Sequence, residues 1–340
     1  MSIILTGGGT GGHLTIIDAV VEHLNEKPIY IGSTKGQDRN WFENDKRFKR
    51  CYFIDSVTIA DKGILGKFLA LWHTAKEALE ISKVLKQENA KVVFSVGGFS
   101  AAPASVAAIM LRVPLIIHEQ NAYTGILNRY LKPFAKSFIS TFEDSDIKLS
   151  YPVKQVFFDK ARVRDKIKTI LISGGSQGSV ALNNFALKLA PYFKERGIRI
   201  YHQAGVKNLD KVIEDYKKIN VEAKIFGFTK EMPKIIEEAD FAIARAGAST
   251  LWEMTANGLP ALFVPYPYAA NDHQYYNAKF LVDKGLAWVC RDKDLKEDIV
   301  LDILDKDLSS ISKELIKLIE PNGAKNLSKY IENFTINTHL

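Results

Sequence analysis

Four times in this chain an apolar run of strand length stops at a stretch stripped of bulky side chains, and a helical pattern follows. Ile3–Leu5 run into Gly7–Gly12, five glycines in six positions broken only by Thr10, with His13 directly after. Val92–Val96 lead into "GGFSAAP", Lys168–Ile172 into "GGSQGS", and Phe241–Ala244 into "RAGAST". At such a junction backbone N–H groups at a helix start can face an anion, and the helix dipole adds attraction. Open α/β sheets hold their ligands here, outside the carboxyl ends of the strands. One bare turn shows little. Four, two in each half, predict anion-binding edges in both halves.

The rest of the chain follows the same alternation. Further strand-length runs are Ile29–Ile31, Tyr52–Ile54, Leu115–His118 and Ser137–Ser140, then Ile198–His202, Lys224–Phe228, Ala261–Val264 and Ala287–Cys290. Helix-length stretches separate them, which predicts parallel sheets with crossover helices. At 340 residues the chain exceeds one hydrophobic core, so two doubly wound α/β domains in tandem are expected. The boundary is placed within Ser150–Lys166, with domains of 1–154 and 155–323, and the segment 324–340 is expected to pack back on the first. Cys51 and Cys290 lack CxxC spacing, which argues against a cysteine zinc site or a disulfide scaffold and suits a reducing cytoplasm. Met1 leads directly into the first strand, with no signal-peptide pattern. Phe99–Ile117, the longest apolar stretch, is broken by Arg112 and Pro114 and reads as loop, helix and buried strand. The net charge of +7 suits an anionic ligand or membrane surface, or simply a basic soluble protein. No arginine stripe, finger spacing or RNP-like aromatic pair points to nucleic acid.

Gly7, Gly9 and Gly12 formally satisfy the dinucleotide fingerprint GxGxxG. That motif also needs a carboxylate at the end of the second strand for the ribose. Here that strand ends "IYIGSTKG", and no carboxylate precedes Asp38.

Five segments, "GGGTGGH", "VGGFSAAP", "HEQNAYTGILNRYL", "SGGSQGSVALNN" and "ARAGASTLWEMTANGLPALFVPYPYAANDHQYYNA", resemble the MurG family of glycosyltransferases in order and spacing, from residue 7 to 278. The resemblance implies a GT-B fold, two Rossmann-like doubly wound domains facing a deep cleft. It implies inverting transfer of N-acetylglucosamine from UDP-GlcNAc to the membrane-bound lipid I of peptidoglycan synthesis, giving lipid II. Sugar nucleotide is expected mainly on the C-terminal domain and acceptor on the N-terminal one. The implied setting is the cytoplasmic face of the bacterial membrane, with other wall-building enzymes as partners.

On the donor side Glu253, one turn into the helix opened by RAGAST, can hold a ribose diol, as the resemblance also implies, while the amides of Ala248, Ser249 and Thr250 hold diphosphate. Ser and Thr there also suit N-capping. Ser176 and Gln177 are expected to reach sugar or phosphate, with Asn183 close behind. Arg245 suits either a diphosphate or a structural carboxylate partner. The resemblance implies that Gln274, beside His273, bonds the sugar hydroxyls, and that uracil is read by the loop carrying Phe228 and Thr229. Lys154 stands in "YPVK" where the family often has "NPVR", so a point charge replaces a bidentate fork. On the acceptor side Thr10, Gly11 and Gly12 would meet the lipid diphosphate. His13 could serve as general base or as a capping residue. Glu119 could be a base or a buried partner of His118, and Asn121 could orient the hydroxyl.

Asp144-Ser145-Asp146, Asp292-Lys293-Asp294 and Asp305-Lys306-Asp307 spell the DxD of metal-dependent transferases, but none follows a glycine loop. Metal-free chemistry is expected, with no cofactor, since UDP-GlcNAc is a substrate. Ile64, Leu65, Phe68, Leu69 and Trp72 share one helical stripe among lysines, either facing the core or docking on anionic lipid. Two rivals are a UDP-GlcNAc 2-epimerase of the same fold and a non-catalytic basic nucleotide- or RNA-binding protein.

Overall fold

The computed structural model describes residues 2–56, 64–142, 145, 147, 149–175 and 177–336, with side chains except those of 64–68 and 336. The chain forms two compact units. One runs to Val153 and resumes at Asn322, and the other spans Lys154–Pro321.

In the first unit the elements follow in order β1 (Ser2–Thr6), α1 (Gly11–Val21), β2 (Ile29–Ser33), α2 (Asp38–Phe42), β3 (Arg50–Ile54) and α3 (Ile64–Gln87). β4 (Ala90–Ser95), α4 (Ala102–Leu111), β5 (Leu115–Glu119), α5 (Ile126–Leu131) and β6 (Ser137–Ser140) complete its sheet. The strands pair in parallel in the order β3-β2-β1-β4-β5-β6. Ile4 lies beside Ile29 and Val93, and these apolar strands are covered on both faces, as parallel sheets require. Ala104, Ala107 and Ala108 of α4 are small enough to let Ala78, Ile81 and Leu85 of α3 join the same core.

The second unit repeats the plan. It contains α6 (Gln155–Asp159), β7 (Thr169–Ser173), α7 (Val180–Glu195), β8 (Arg199–Gln203), α8 (Leu209–Lys218), β9 (Lys224–Phe226) and α9 (Met232–Glu238). β10 (Phe241–Ala244), α10 (Ala248–Asn257), β11 (Ala261–Phe263), α11 (His273–Val282), β12 (Trp288–Val289), α12 (Glu297–Leu304) and α13 (Ser309–Leu318) follow. Its parallel order is β12-β11-β10-β7-β8-β9, the first unit's order with β7 in the place of β1.

Strand order therefore reverses between β1 and β4 in one unit and between β7 and β10 in the other. These are the switch points where doubly wound sheets open a crevice for ligands. All four glycine-rich junctions follow these four strands.

The last helix, α14 (Gly323–Ile336), belongs to the first unit. It buries Ala324, Leu327 and Ile331, and Ser328 Oγ donates to the Val20 carbonyl at 2.8 Å. The Glu332 carboxylate accepts from Asn25 N at 2.7 Å and Asn25 Nδ2 at 2.9 Å. A helix joined this closely should carry stability: Leu327→Ala is expected to cost about 2–5 kcal/mol in urea unfolding. A loss below about 1 kcal/mol would show that α14 is not part of that core.

Candidate substrate-binding edges

At the first switch point the loops after β1 and β4 meet backbone to backbone. A Cβ built on Gly7 would lie 2.6 Å from the Gly97 carbonyl oxygen, and one on Gly98 the same distance from the Gly8 carbonyl. Gly7 (φ +120°) and Gly9 (φ +82°) also adopt conformations that side chains disfavour. The bare sequence is thus needed first by the protein's own packing.

Beyond it α1 starts at Gly11 with Thr10 at the N-cap, whose side chain makes no capping bond. The Thr10 hydroxyl lies 3.0 Å from His13 Nδ1 instead. The His13 ring passes close to Gly98, where a Cβ would come within 3.5 Å of its Nε2. Thr10, Gly11, Gly12 and His13 therefore share one edge with the Gly97–Gly98 turn.

Glu119 ends β5, buried. Its Oε1 accepts from Asn121 N at 2.9 Å, and its Oε2 accepts from Gly125 N at 2.9 Å and Asn128 Nδ2 at 2.8 Å. Burial raises its pKa above the usual carboxylate range, against the lowering by these bonds. Glu119 shapes the loop that carries half-buried Asn121; it is not the partner of His118. Neighbours along a strand point to opposite faces. Buried His118 packs edge-on to the Tyr151 ring, and its Nδ1 has no hydrogen-bond partner among the described residues. Burial, then the nearby His13, pulls its pKa down to about 3.

Asp38, the first carboxylate after β2, is fully buried in the first turn of α2, where it binds Gly9 N and Ser33 N. Its bond to Gly9 spans 29 residues, so no local pattern announces it.

At the second switch point Ser176 lies outside the described residues, and Gln177 beside it is exposed. Ser179 caps α7, its Oγ accepting from Leu182 N. The start of α10 is different. Gly247 holds its N-cap with no side-chain bond, leading into Ala248, Ser249 and half-buried Thr250. Neither conformation (φ −63°) nor packing requires glycine at 247, since a Cβ there meets nothing within 4 Å. Glu253 is half-buried on the next turn of that helix.

Arg245 has the structural partner. It pairs with Asp292 at 2.5 Å, donates to Ser179 Oγ at 2.5 Å, and reaches the Val264 and Pro265 carbonyls at 3.0 Å each. It ties the two loops of this edge together, and it commits Asp292 of one DxD triplet to a cation of the protein. Asp144 and Asp146 lie outside the described residues, while Asp307 accepts from Ser309 N and Asp305 pairs with Arg196.

Asn183 needs a correction. It is buried, with Nδ2 donating to the Ala204 carbonyl and Oδ1 3.1 Å from His202 Nε2. The first turn of α7 faces the core there, and both ends of the amide are bonded within the protein, so it holds the loop from behind. His202 Nδ1 in turn lies 3.1 Å from the Tyr216 hydroxyl, and burial lowers its pKa to about 4.

Phe228 is exposed after β9, and Thr229 Oγ1 accepts from Glu231 N. Gln274 Oε1 accepts from Tyr266 N at 2.9 Å, and His273 Nδ1 lies 2.9 Å from the Ala270 carbonyl. Half-buried Lys154 precedes α6. On α3, Leu69 and Trp72 are 62% and 68% exposed, whereas Ala70, Ala78, Ile81 and Leu85 are buried. The side chains of Ile64, Leu65 and Phe68 lie outside the described residues. Leu69 and Trp72 do not face the core. No helix among the described residues is long and apolar enough to cross a membrane.

The model of the glycosyltransferase family 28 N-terminal domain matches residues 3–140, and that of its C-terminal domain matches 169–331. A protein of Sulfurovum sp. (strain NBC37-1) is 54% identical over 336 residues, 98% of this chain and 99% of that one. It is named UDP-N-acetylglucosamine–N-acetylmuramyl-(pentapeptide) pyrophosphoryl-undecaprenol N-acetylglucosamine transferase. The crystal structure of Acinetobacter baumannii MurG is 28% identical, covers 98% of this chain and 99% of that one, and superposes with a TM-score of 0.76. The fold is GT-B. A UDP-GlcNAc 2-epimerase from Neisseria meningitidis, bound to UDP-GlcNAc, shares that fold alone, at 15% identity and a TM-score of 0.62 over 99% and 100% of the two chains.

The two buried histidines set an acid limit on the fold. Their folded pKa values lie below the ordinary 6.5, so the unfolded chain binds protons first and stability falls as pH drops from about 6.5 towards 4. Each should cost roughly 2 kcal/mol between pH 7 and pH 5. In guanidinium unfolding, His202→Gln should remove about that much of the difference. An unchanged slope would contradict a neutral, buried His202.

Proposed function

The chain belongs to the MurG family of glycosyltransferases, and from that premise we infer that it transfers N-acetylglucosamine from UDP-GlcNAc to lipid I, forming lipid II. The observation that carries this is similarity over nearly the whole length to a transferase of that name, with all four bare junctions at the two switch points. The epimerase alternative has only a shared fold behind it.

The second unit takes the donor. The α10 start, left uncapped at Gly247, meets the diphosphate, and the open space beside that glycine lets the phosphates approach the main chain. Glu253 holds the ribose hydroxyls. Ser176, Gln177 and the amide NH2 of Gln274 bind the sugar or its phosphate. Phe228, with the Thr229 backbone, covers the base. Lys154 supplies a positive charge to the leaving UDP, and with the α10 dipole it offsets that charge without a metal ion. Arg245 keeps the two loops in register.

The first unit takes the acceptor. The amides of Thr10–Gly12 meet the lipid diphosphate, and Asn121 orients the attacking hydroxyl. His13, its Nδ1 3.0 Å from the Thr10 hydroxyl, takes the hydroxyl proton as general base. The hydroxyl oxygen then bonds to the anomeric carbon as the bond to UDP breaks, inverting that centre. Leu69 and Trp72, together with the rest of the α3 stripe, dock the enzyme peripherally on the anionic cytoplasmic face of the membrane, where the lipid acceptor resides.

With UDP-GlcNAc and a lipid I analogue, the protein should release UDP and form a disaccharide. Glu253→Ala should raise the donor KM roughly tenfold or more. His13→Ala should lower kcat by about 10²–10⁴ and leave UDP binding nearly unchanged. Normal turnover in His13→Ala would remove it as base. For docking, Leu69→Asp with Trp72→Asp should weaken binding to anionic vesicles roughly a hundredfold. Unchanged binding by the folded variant would end the docking assignment.

A further inference from the structure

Neither substrate role above uses the buried carboxylate of Asp38. Its Oδ2 accepts the N–H of Gly9 at 2.7 Å, and its Oδ1 accepts the N–H of Ser33 and the hydroxyl of Tyr30, each at 2.9 Å. The Tyr30 hydroxyl also lies 2.9 Å from the Gly7 carbonyl. No cation pairs with Asp38 among the described residues. A buried carboxylate held only by neutral donors is costly, and an apolar residue would fill the space more cheaply.

The first glycine loop is cut to fit this group. A Cβ on Gly8 would lie 2.5 Å from Asp38 Oδ1, so the carboxylate occupies the notch left by the missing side chain. Gly36, two residues before Asp38, comes so near that its Cβ would lie 2.7 Å from the Gly9 carbonyl. The β2–α2 turn and the first glycine loop are thus clamped together, with Asp38 as the pin.

We propose that Asp38 is a positioning residue for the acceptor: it withdraws the Gly9 N–H from the substrate and fixes the turn, so that the start of α1 and His13 present themselves instead. This rests on the acceptor role given above to the Thr10–His13 edge. A merely structural carboxylate would matter only through stability.

Asp38→Asn separates these possibilities. An amide can keep Oδ1 on the Ser33 and Tyr30 side, but its NH2 then confronts the Gly9 N–H and pushes the loop outward. A shift near 1 Å should lower kcat/KM for a lipid I analogue roughly tenfold to a hundredfold. UDP-GlcNAc binding, on the other unit, should stay within about twofold. Glu88→Gln is the control. Glu88 is also a buried carboxylate, held by Lys49, Arg50 and Tyr52 just before β4, at the opposite edge of the same sheet. It should lose stability without losing acceptor kcat/KM. If both variants lose kcat/KM in proportion to their fall in Tm, the proposal is overturned.

A second measurement needs no variant. In wild-type amide hydrogen exchange, Gly9 should be protected before the lipid I analogue is added and unchanged afterwards, while the amides at the start of α1 gain protection. Protection of Gly9 only on addition would make it a substrate donor and overturn the proposal. Absence of transfer by the wild-type chain would instead sink the functional reading, independently of the Gly9 result.

Discussion

In the first unit main chain must pass against main chain where strand order reverses. Two strands that leave a parallel sheet side by side, bound for helices on opposite faces, must part within a few residues. At the first switch point they part so closely that the carbonyls of Gly8 and Gly97 fill the space where side chains of Gly98 and Gly7 would stand. In the second unit the close approach lies between the loops after β7 and β8, where a Cβ on Gly205 would lie 2.5 Å from Gly178 N. This crowding requires glycine before any ligand is considered. Gly247 is the instructive exception, since the protein itself asks for nothing there. Its bareness is what a phosphate approaching the α10 amides would require.

Behind these loops stands a second layer of buried polar groups whose task is shape. Arg245 with Asp292, the chain Tyr216–His202–Asn183–Ala204, Glu119 with its loop amides, and Asp38 with Gly9 each brace one loop from within. Such groups are expensive to bury, and removing one partner leaves the other stranded at a cost of about 1–3 kcal/mol, more when charged. Their energy goes into holding backbone N–H groups in fixed directions. Preorganised donors of that kind can stabilise a leaving diphosphate without reorganising during the reaction.

The twelve strands among the described residues are legible because buried parallel strands read as short continuous apolar runs, and their β-branched residues mark them. The four junctions were legible because glycine signals itself. Polar braces were harder to see. Asp38 reaches back 29 residues to Gly9, and Arg245 reaches forward 47 to Asp292, so neither pairing leaves a local pattern. Asn183 looked like a ligand residue because it follows a glycine loop, yet the helix turns it inward. Glu119 did carry a local signal, since its partners at 121, 125 and 128 lie within three helical turns of sequence.

The central claim is that naked main-chain amides at these corners grip the diphosphates. Amide chemical shifts of the full-length protein titrated with UDP test it most directly. The account predicts that Gly175, Gln177 and Ala248–Thr250 move in concert at saturation, while the amides of Gly7–Gly9 hold their positions. Shifts spread over the surfaces away from β7 and β10, or confined to the β1 loop, would contradict it.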